Sequence, residues 1–479
     1  MKSLRNKIIK LVSSKYFLWI VVALFAVQAL FFSFSIKFGI PPDEAYHYSA
    51  IDYYSNQGAF AGPIISQQSP DSIAEVRTLN RSASYLYHYL SSFSLRAIKN
   101  ISGNVETQVL MLRMQSVVLA ILTIAFLKKC LDEVSDNEAL KNLSIMSLTF
   151  VGMFVWLASS INYDNLANLL FAVFLLYSIR YVKKRRIQDF LMSYIFGVFT
   201  CLTKYTFLPT VGLGLLIAGY FLISKYRKTL LKADIKKHLK FSIGTILIIL
   251  FATLGTVMAL ERFGLNIIKY GNVQPGCVKL FSREECVTNA LYARNYDQKD
   301  IFNGVNKISF INKENPFTHT GMWFYSMYNN LFFYLGHKKI MSTTASEFVA
   351  AISMVAFVST LLLPRKRLFK AFHQYYLYTL VFAYIAVLYI FNLLTLLNYG
   401  KRFAYQGRYL IPVAVFIFYI VAVIILRADQ RLPENKRNVF FIVWTTIAIM
   451  LILAHLPAMT FIRGSNSDWY SPSYNRLID

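Results

Sequence analysis

The chain alternates long apolar runs with short polar intervals, on the length scale of a bilayer. Eleven uninterrupted apolar stretches approach the roughly 20 residues that cross a membrane as a helix. They occupy about 16–36, 109–127, 143–161, 166–182, 187–202, 206–224, 241–260, 348–364, 375–397, 409–426 and 439–461, the fifth being short. The runs are continuous rather than alternating, so they predict membrane helices and not a sheet barrel. Two longer intervals separate them, 37–108 and 261–347. Both are rich in Tyr and Phe, as segments lying on a membrane interface are, and neither has the composition of a disordered linker. Within the first, residues 83–98 place Leu86, Leu90, Phe93 and Ala97 on one face and Ser84, His88, Ser91 and Ser92 on another. That spacing predicts an amphipathic helix lying on the membrane.

Charge adds direction. The 479 residues carry a formal net charge of +26, although only 15% are charged. The basic residues cluster in alternate short intervals: the amino-terminal Lys2 to Lys15, Lys183-Lys184-Arg185-Arg186, the stretch from Lys225 to Lys240, Arg365-Lys366-Arg367, and Arg427 to Arg437. Eleven spans put all of these on one side, which the positive-inside rule makes cytoplasmic. The amino terminus is then expected inside and the carboxyl terminus outside, with 37–108 and 261–347 as outer loops. Nucleic-acid binding is excluded as the meaning of the charge, because no soluble unit carries a basic groove. The first span is longer and later than a cleaved leader and is expected to stay. The chain thus reads as one transmembrane unit over 1–461 with a short outer tail over 462–479.

Polar residues at the outer ends of spans carry the chemistry. Pro41-Pro42-Asp43-Glu44-Ala45-Tyr46-His47 follows the first span directly. The prolines stop the helix, Asp43 is placed to cap a new one, and Asp43, Glu44 and His47 share a face of it. An acid pair there is a candidate general base, or simply a helix cap at a loop start. Asn162-Tyr163-Asp164-Asn165 joins the third and fourth spans and also has the composition of a plain turn. Lys204 lies between the fifth and sixth spans, as a site residue or as a lysine snorkelling to the interface. Lys401-Arg402-Phe403-Ala404-Tyr405-Gln406-Gly407-Arg408-Tyr409 precedes the tenth span. Basic residues there run against the charge trend, and an arginine fork suits a lipid phosphate as well as a bare headgroup contact. Cys277 and Cys286 are close enough to pair in an oxidising compartment; Cys130 and Cys201 read as packing residues. No Cys/His spacing suggests zinc.

A carboxylate and several fixed cations at one membrane face fit group transfer from a lipid-linked sugar. Here the motifs resemble the bacterial GT-C-type membrane glycosyltransferases, the group holding the aminoarabinose transferases of lipid A and the protein O-mannosyltransferases. The resemblance rests on Pro42-Asp43-Glu44, Tyr85-Leu86-Tyr87, Leu112-Arg113-Met114, Asn162-Tyr163-Asp164, Leu202-Thr203-Lys204-Tyr205 and Gln406-Gly407-Arg408-Tyr409-Leu410-Ile411-Pro412, in that order to about residue 461. It implies an all-α polytopic fold of about eleven spans with juxtamembrane helices in the first outer loop. It implies transfer of a hexosyl or pentosyl group from a polyprenyl-phosphate carrier to a glycan or lipid acceptor, at the outer face of a bacterial inner membrane. Asp43, with Glu44, takes the catalytic position; His47, Tyr85, His88, Asp164, Lys204, Arg402, Tyr405 and Arg408 are the expected substrate-binding residues. No metal ligands are assigned, and a divalent cation is left open as a second source of positive charge. The short tail departs from the oligosaccharyltransferase branch. A lipid-linked glycan flippase is the alternative, disfavoured because no internal repeat is found and the notable charges lie at span ends rather than mid-span; a glycan polymerase or ligase is another.

The topology is directly testable. Reporter fusions after Gln108, Tyr226 and Asp479 should read outside, inside and outside, and a cytoplasmic signal at Asp479 removes the eleven-span arrangement.

Overall fold

In hydrocarbon the backbone has no hydrogen-bond partner but itself, so the apolar runs become helices. A computed structural model describes residues 2–57, 81–231, 243–288, 290–305, 310, 314–335, 338–339 and 371–431, with 457, 462 and 469. In chain order, α1 (Lys2–Val12) and α2 (Lys15–Ser35) meet at Ser14, whose hydroxyl accepts the Phe17 N–H. Two helices then lie beyond the end of α2, α3 (Glu44–Ser55) and α4 (Leu86–Lys99). Next come α5 (Val105–Val134), α6 (Glu138–Thr149), α7 (Gly152–Ala158), α8 (Tyr163–Lys184), α9 (Ile187–Thr203) and α10 (Leu208–Leu231). α11 (Ile243–Ala259) continues through a π turn (Leu260–Gly264) into α12 (Leu265–Tyr270). Then come the shorter α13 (Arg283–Val287), α14 (Ala290–Asn303) and α15 (Pro316–Phe332), and last α16 (Phe372–Tyr399) and α17 (Ile411–Arg431). A two-residue antiparallel pairing, Tyr334–Leu335 with Lys338–Lys339, is the sole sheet among the described residues.

The chain is therefore an all-α, multi-pass membrane protein. Seven helical stretches among the described residues are long and apolar enough to cross a bilayer. The expected third span is present but broken, with α6 and α7 inclined at 69°. Its hydropathy is continuous, so the pattern predicted one helix. The Thr149 hydroxyl takes the Met146 carbonyl at 2.8 Å, and Val151 leaves the helix in extended geometry (φ −71°, ψ 113°), which ends the ladder. The expected fifth span, α9, is 17 residues long. The expected spans at 348–364 and, but for Pro457, 439–461 lie outside the described residues.

α8 is the axis of the bundle. Ala167, Phe171, Phe174, Leu175 and Ile179 have no exposed surface, and α5, α9 and α16 pack around it. Outer helices instead show apolar residues outward: Trp19, Ile20 and Val27 of α2, and Ile243, Leu250 and Val257 of α11. Exposed apolar surface of this extent marks the lipid contact.

One end of the bundle carries the two inter-span segments, folded onto each other. Arg262 is buried over the Tyr85 ring at 4.0 Å and donates to the Ser82 carbonyl, while Arg81 pairs with Glu261 at 2.8 Å. The predicted amphipathic helix is α4, beginning at Leu86 rather than at 83. Its orientation is informative. Leu90 and Phe93 are exposed, whereas His88, Ser91 and Ser92 are buried, so the polar face looks into the protein. At the same end the Lys37 N–H donates to the Trp469 carbonyl at 2.8 Å. At the other end Asn142 holds the Val12 carbonyl at 2.8 Å, and Lys141 ties Asp132 to Glu138.

Cys277 and Cys286 form a disulfide; Cys130 and Cys201 are buried free thiols. Thiol labelling of the folded protein should therefore need reductant before Cys277 or Cys286 reacts, and denaturant before Cys130 or Cys201 does. Labelling of Cys277 and Cys286 without reductant would remove the pairing.

Candidate functional site

Five segments converge where α2 ends. The centre of the construction is Glu44, with no exposed surface. Arg113 of α5 grips it with two bonds, Nε to Oε1 at 2.8 Å and Nη2 to Oε2 at 2.7 Å. The same carboxylate accepts the Ile161 N–H at 3.1 Å and the Gly39 N–H at 3.2 Å. Arg113 Nη1 donates to the carbonyls of Ser33 and Ile36, which the end of α2 leaves without helical partners. One ion pair thus joins the end of α2, the start of α3, the first third of α5 and the turn before α8. Glu44, expected beside Asp43 as a catalytic acid, has both oxygens committed in this clamp and none turned to a substrate. It acts on the site through what it holds.

Asp43 is what it holds. The two prolines and the clamp set Asp43 at φ 63°, ψ 7°, a left-handed conformation that Asp tolerates better than most residues. Asp43 was expected to cap α3. It occupies the cap position but makes no side-chain cap bond. Its Oδ2 instead accepts from Arg408 Nη2 at 2.7 Å, with half of the Asp43 side chain exposed (50%) and almost none of Arg408 (4%).

Arg408 and Lys204 come from turns of matching design. Arg408 sits in the 3-10 turn Gly407–Leu410 that opens α17, and Lys204 precedes the 3-10 turn Tyr205–Phe207 that opens α10. Gly407 is required there: a Cβ would fall 2.2 Å from the Leu331 nitrogen. Asp164, in the first turn of α8, binds Lys204 Nζ at 2.6 Å through Oδ1 and faces Arg408 Nε at 3.7 Å through Oδ2. Neither of those last two atoms has a hydrogen-bond partner. The Lys204 ammonium also lies 4.2 Å from the Tyr409 ring and 5.1 Å from the Tyr163 ring. Two carboxylates and two cations therefore form one chain, Asp43–Arg408–Asp164–Lys204.

Beside them opens a cavity of about 410 Å³. Tyr163, Lys204 and Tyr409 are among its lining residues, with apolar wall from Leu208, Pro209, Val387, Leu388 and Phe391. The Tyr384 hydroxyl, on the same wall, fixes the Arg408 turn by donating to the Tyr409 carbonyl at 2.8 Å.

The other expected residues are not part of that chain of charges. His47 and His88 are buried against each other, Nδ1 to Nε2 at 2.8 Å, with the Tyr163 ring 4.9 Å from that of His47. Burial, outweighing the attraction of Asp43, lowers the His47 pKa to about 3, and burial with the neighbouring His47 lowers that of His88. Both are neutral at ordinary pH and brace α3 against α4. The Tyr85 ring packs beneath Arg262. Arg402 pairs with Glu314 at 2.8 Å, and the Tyr405 hydroxyl meets His319 Nδ1 at 3.0 Å. These two belong to a second cluster around α15. Reading the sequence missed Arg113 as a site-building residue, although its place in an apolar run was the available signal. Tyr384 and His319 gave none. Each carboxylate at the site already faces a cation, a poor donor set for a divalent metal.

Residues 89–255 match the dolichyl-phosphate-mannose-protein mannosyltransferase family. No curated protein matches the chain. That similarity, over about a third of the chain, points to a membrane glycosyltransferase.

Glu44→Gln leaves the Arg113 guanidinium buried without its counter-charge. It should lower stability by about 3–5 kcal/mol, read as a large fall in thermal midpoint in detergent; an unchanged midpoint would contradict the clamp. The histidine pair gives a pH test. The unfolded chain takes up a proton on His47 near pH 6.5, and the folded protein only near pH 3. The unfolded state thus binds more protons in that window. Stability should be fully present above about 6.5 and decline below it, by at most about 1.4 kcal/mol per pH unit for each such histidine. His47→Gln should flatten the decline.

Proposed function

We propose that the protein transfers a sugar from a polyprenyl-phosphate carrier to a glycan or lipid hydroxyl, at the membrane face carrying α3 and α4. Among the described residues, the basic Lys15 at the start of α2 and Lys183 and Lys184 at the end of α8 lie at the opposite ends of those spans, which supports that face being the outer, periplasmic one of a bacterial plasma membrane. One observation carries the reading: the buried Lys204 lines a largely apolar cavity, and Asp164 joins it to a second buried cation, Arg408, which holds the half-exposed carboxylate of Asp43.

The parts divide the work. The apolar walls suit the isoprenoid chain, which gains about 25 cal/mol for each Å² withdrawn from water. Arg408 and Lys204 hold the carrier phosphate and stabilise the charge it gains on leaving. Asp43 takes the proton of the attacking hydroxyl. That oxygen bonds to the anomeric carbon as the bond from this carbon to the phosphate oxygen breaks. The electron pair departs with the polyprenyl phosphate, so charge and protons balance. Asp164 keeps the two cations adjacent in a region where they would otherwise repel. A transporter would place its charges near the midplane; here they lie at helix starts.

Kinetics on purified protein with a synthetic polyprenyl-phosphate sugar test the roles. Asp43→Asn should lower turnover by about 100-fold or more without loss of donor binding. Arg408→Lys keeps charge but loses the fork and should impair donor use more than acceptor use; Lys204→Met should do the same less severely. Near-normal turnover in Asp43→Asn would refute the base assignment.

A further inference from the structure

Arg408 faces one carboxylate that is buried and one that is half exposed. The Asp164 side chain is 4% exposed, sits in the first turn of α8 and is held by Lys204 at 2.6 Å. The Asp43 side chain is 50% exposed and reaches Arg408 through a contact of 2.7 Å. Asp43, Asp164, Arg408 and Lys204 sum to zero formal charge before any substrate arrives. A lipid phosphate brings at least one further negative charge to a buried guanidinium. Like charges so close repel strongly where water is scarce, and balance returns only if one carboxylate withdraws. Asp164 has no water to withdraw into; Asp43 has. Arg408 Nε, without a hydrogen-bond partner at 3.7 Å from Asp164, adds a second donor for an arriving phosphate oxygen.

We propose that the carrier phosphate takes the place of Asp43 on Arg408, and that this exchange is what frees Asp43 to serve as the base. The inference rests on the transfer reading and adds an order to it. A carboxylate held by a guanidinium is a weak proton acceptor. With no donor bound, Asp43 is neutralised and activates neither an acceptor hydroxyl nor water. Donor binding and arming of the base become one event, so the donor must bind first. The transfer step is unchanged: the hydroxyl proton passes to the released Asp43 carboxylate, and the leaving phosphate remains on Arg408 and Lys204.

The exchange makes a prediction of sign that a base alone does not. Full-length protein in lipid nanodiscs is titrated with a polyprenyl monophosphate, the carrier as it leaves the reaction, and with the uncharged polyprenol. If Asp43 competes with phosphate, Asp43→Asn should bind the monophosphate more tightly, by about tenfold, equivalent to about 1.4 kcal/mol, while turnover is lost. Polyprenol binding should not move. Asn tolerates the left-handed backbone at this position, and Asp43→Gly, which adopts it freely, serves if the first variant is not recovered folded. Unchanged or weaker monophosphate binding with turnover lost would overturn the exchange and leave the base assignment standing. An equal gain for polyprenol would also overturn it. A wild-type protein that binds no polyprenyl monophosphate would overturn the transfer reading itself, and the exchange with it.

Discussion

The outer end of the structure depends on one buried ion pair. A bidentate carboxylate–guanidinium contact is short and directional, and burial makes it costly to leave half-made. Glu44 and Arg113 use that directionality as a joint. Their remaining donors and acceptors go to backbone groups at the end of α2, at Gly39 and at Ile161, so four stretches of chain share one fixed point. The pair is worth less as net stabilisation than as location. Desolvating two charges consumes much of what their attraction returns, but the attraction is lost unless all four stretches are in register. The position of Asp43 is a direct consequence. It is the residue before Glu44, and two prolines on one side with the clamped Glu44 on the other leave its backbone the left-handed conformation.

The second constraint is charge balance in a place with little water. Arg408 and Lys204 cannot sit close together unpaired, and Asp164 solves this from the first turn of α8, where the helix dipole also favours a carboxylate. The Tyr163 and Tyr409 rings lend Lys204 their faces. What results is a site that is neutral at rest and ready for an anion, because one of its two carboxylates is exposed and the other is not. That asymmetry comes from the fold: Asp164 starts the most buried helix of the bundle, Asp43 a helix at its rim.

Much of the fold was legible because hydropathy measures what lipid demands. Nine of the eleven apolar runs (16–36, for instance, as α2) recur as seven long helices, one short helix and one broken pair. The break between α6 and α7 was invisible, since it replaces apolar helix with apolar helix; only the Thr149 hydroxyl and the extended Val151 mark it. Candidate site residues were legible as types in unusual places: a carboxylate after a span, a lysine between two, an arginine on the wrong side of the charge trend. Their partners were not. Asp43 and Arg408 are 365 residues apart and Lys204 and Asp164 are 40 apart, and no local pattern carries that pairing. Adjacent Asp43 and Glu44 look equivalent in the sequence; the fold divides them, one exposed and one wholly enclosed. His47 and His88 show the same limit, for nothing local in the sequence says that they face each other at 2.8 Å.

The broken span gives the division its cause. A straight third span would have delivered its end to the membrane surface some distance from α2. Turning by 69°, α7 instead lies across the bundle and brings the Ile161 N–H to Glu44 and the Asn162 amide to the Pro42 carbonyl. Asn162 also caps α8. The turn that carries Asp164 and the turn that carries Asp43 are therefore built against each other. Arg408 then meets both carboxylates at once, because Gly407 lets its turn seat directly on the backbone of α15. The irregular pieces of this protein, where the apolar pattern says least, are the pieces that bring its four charges together.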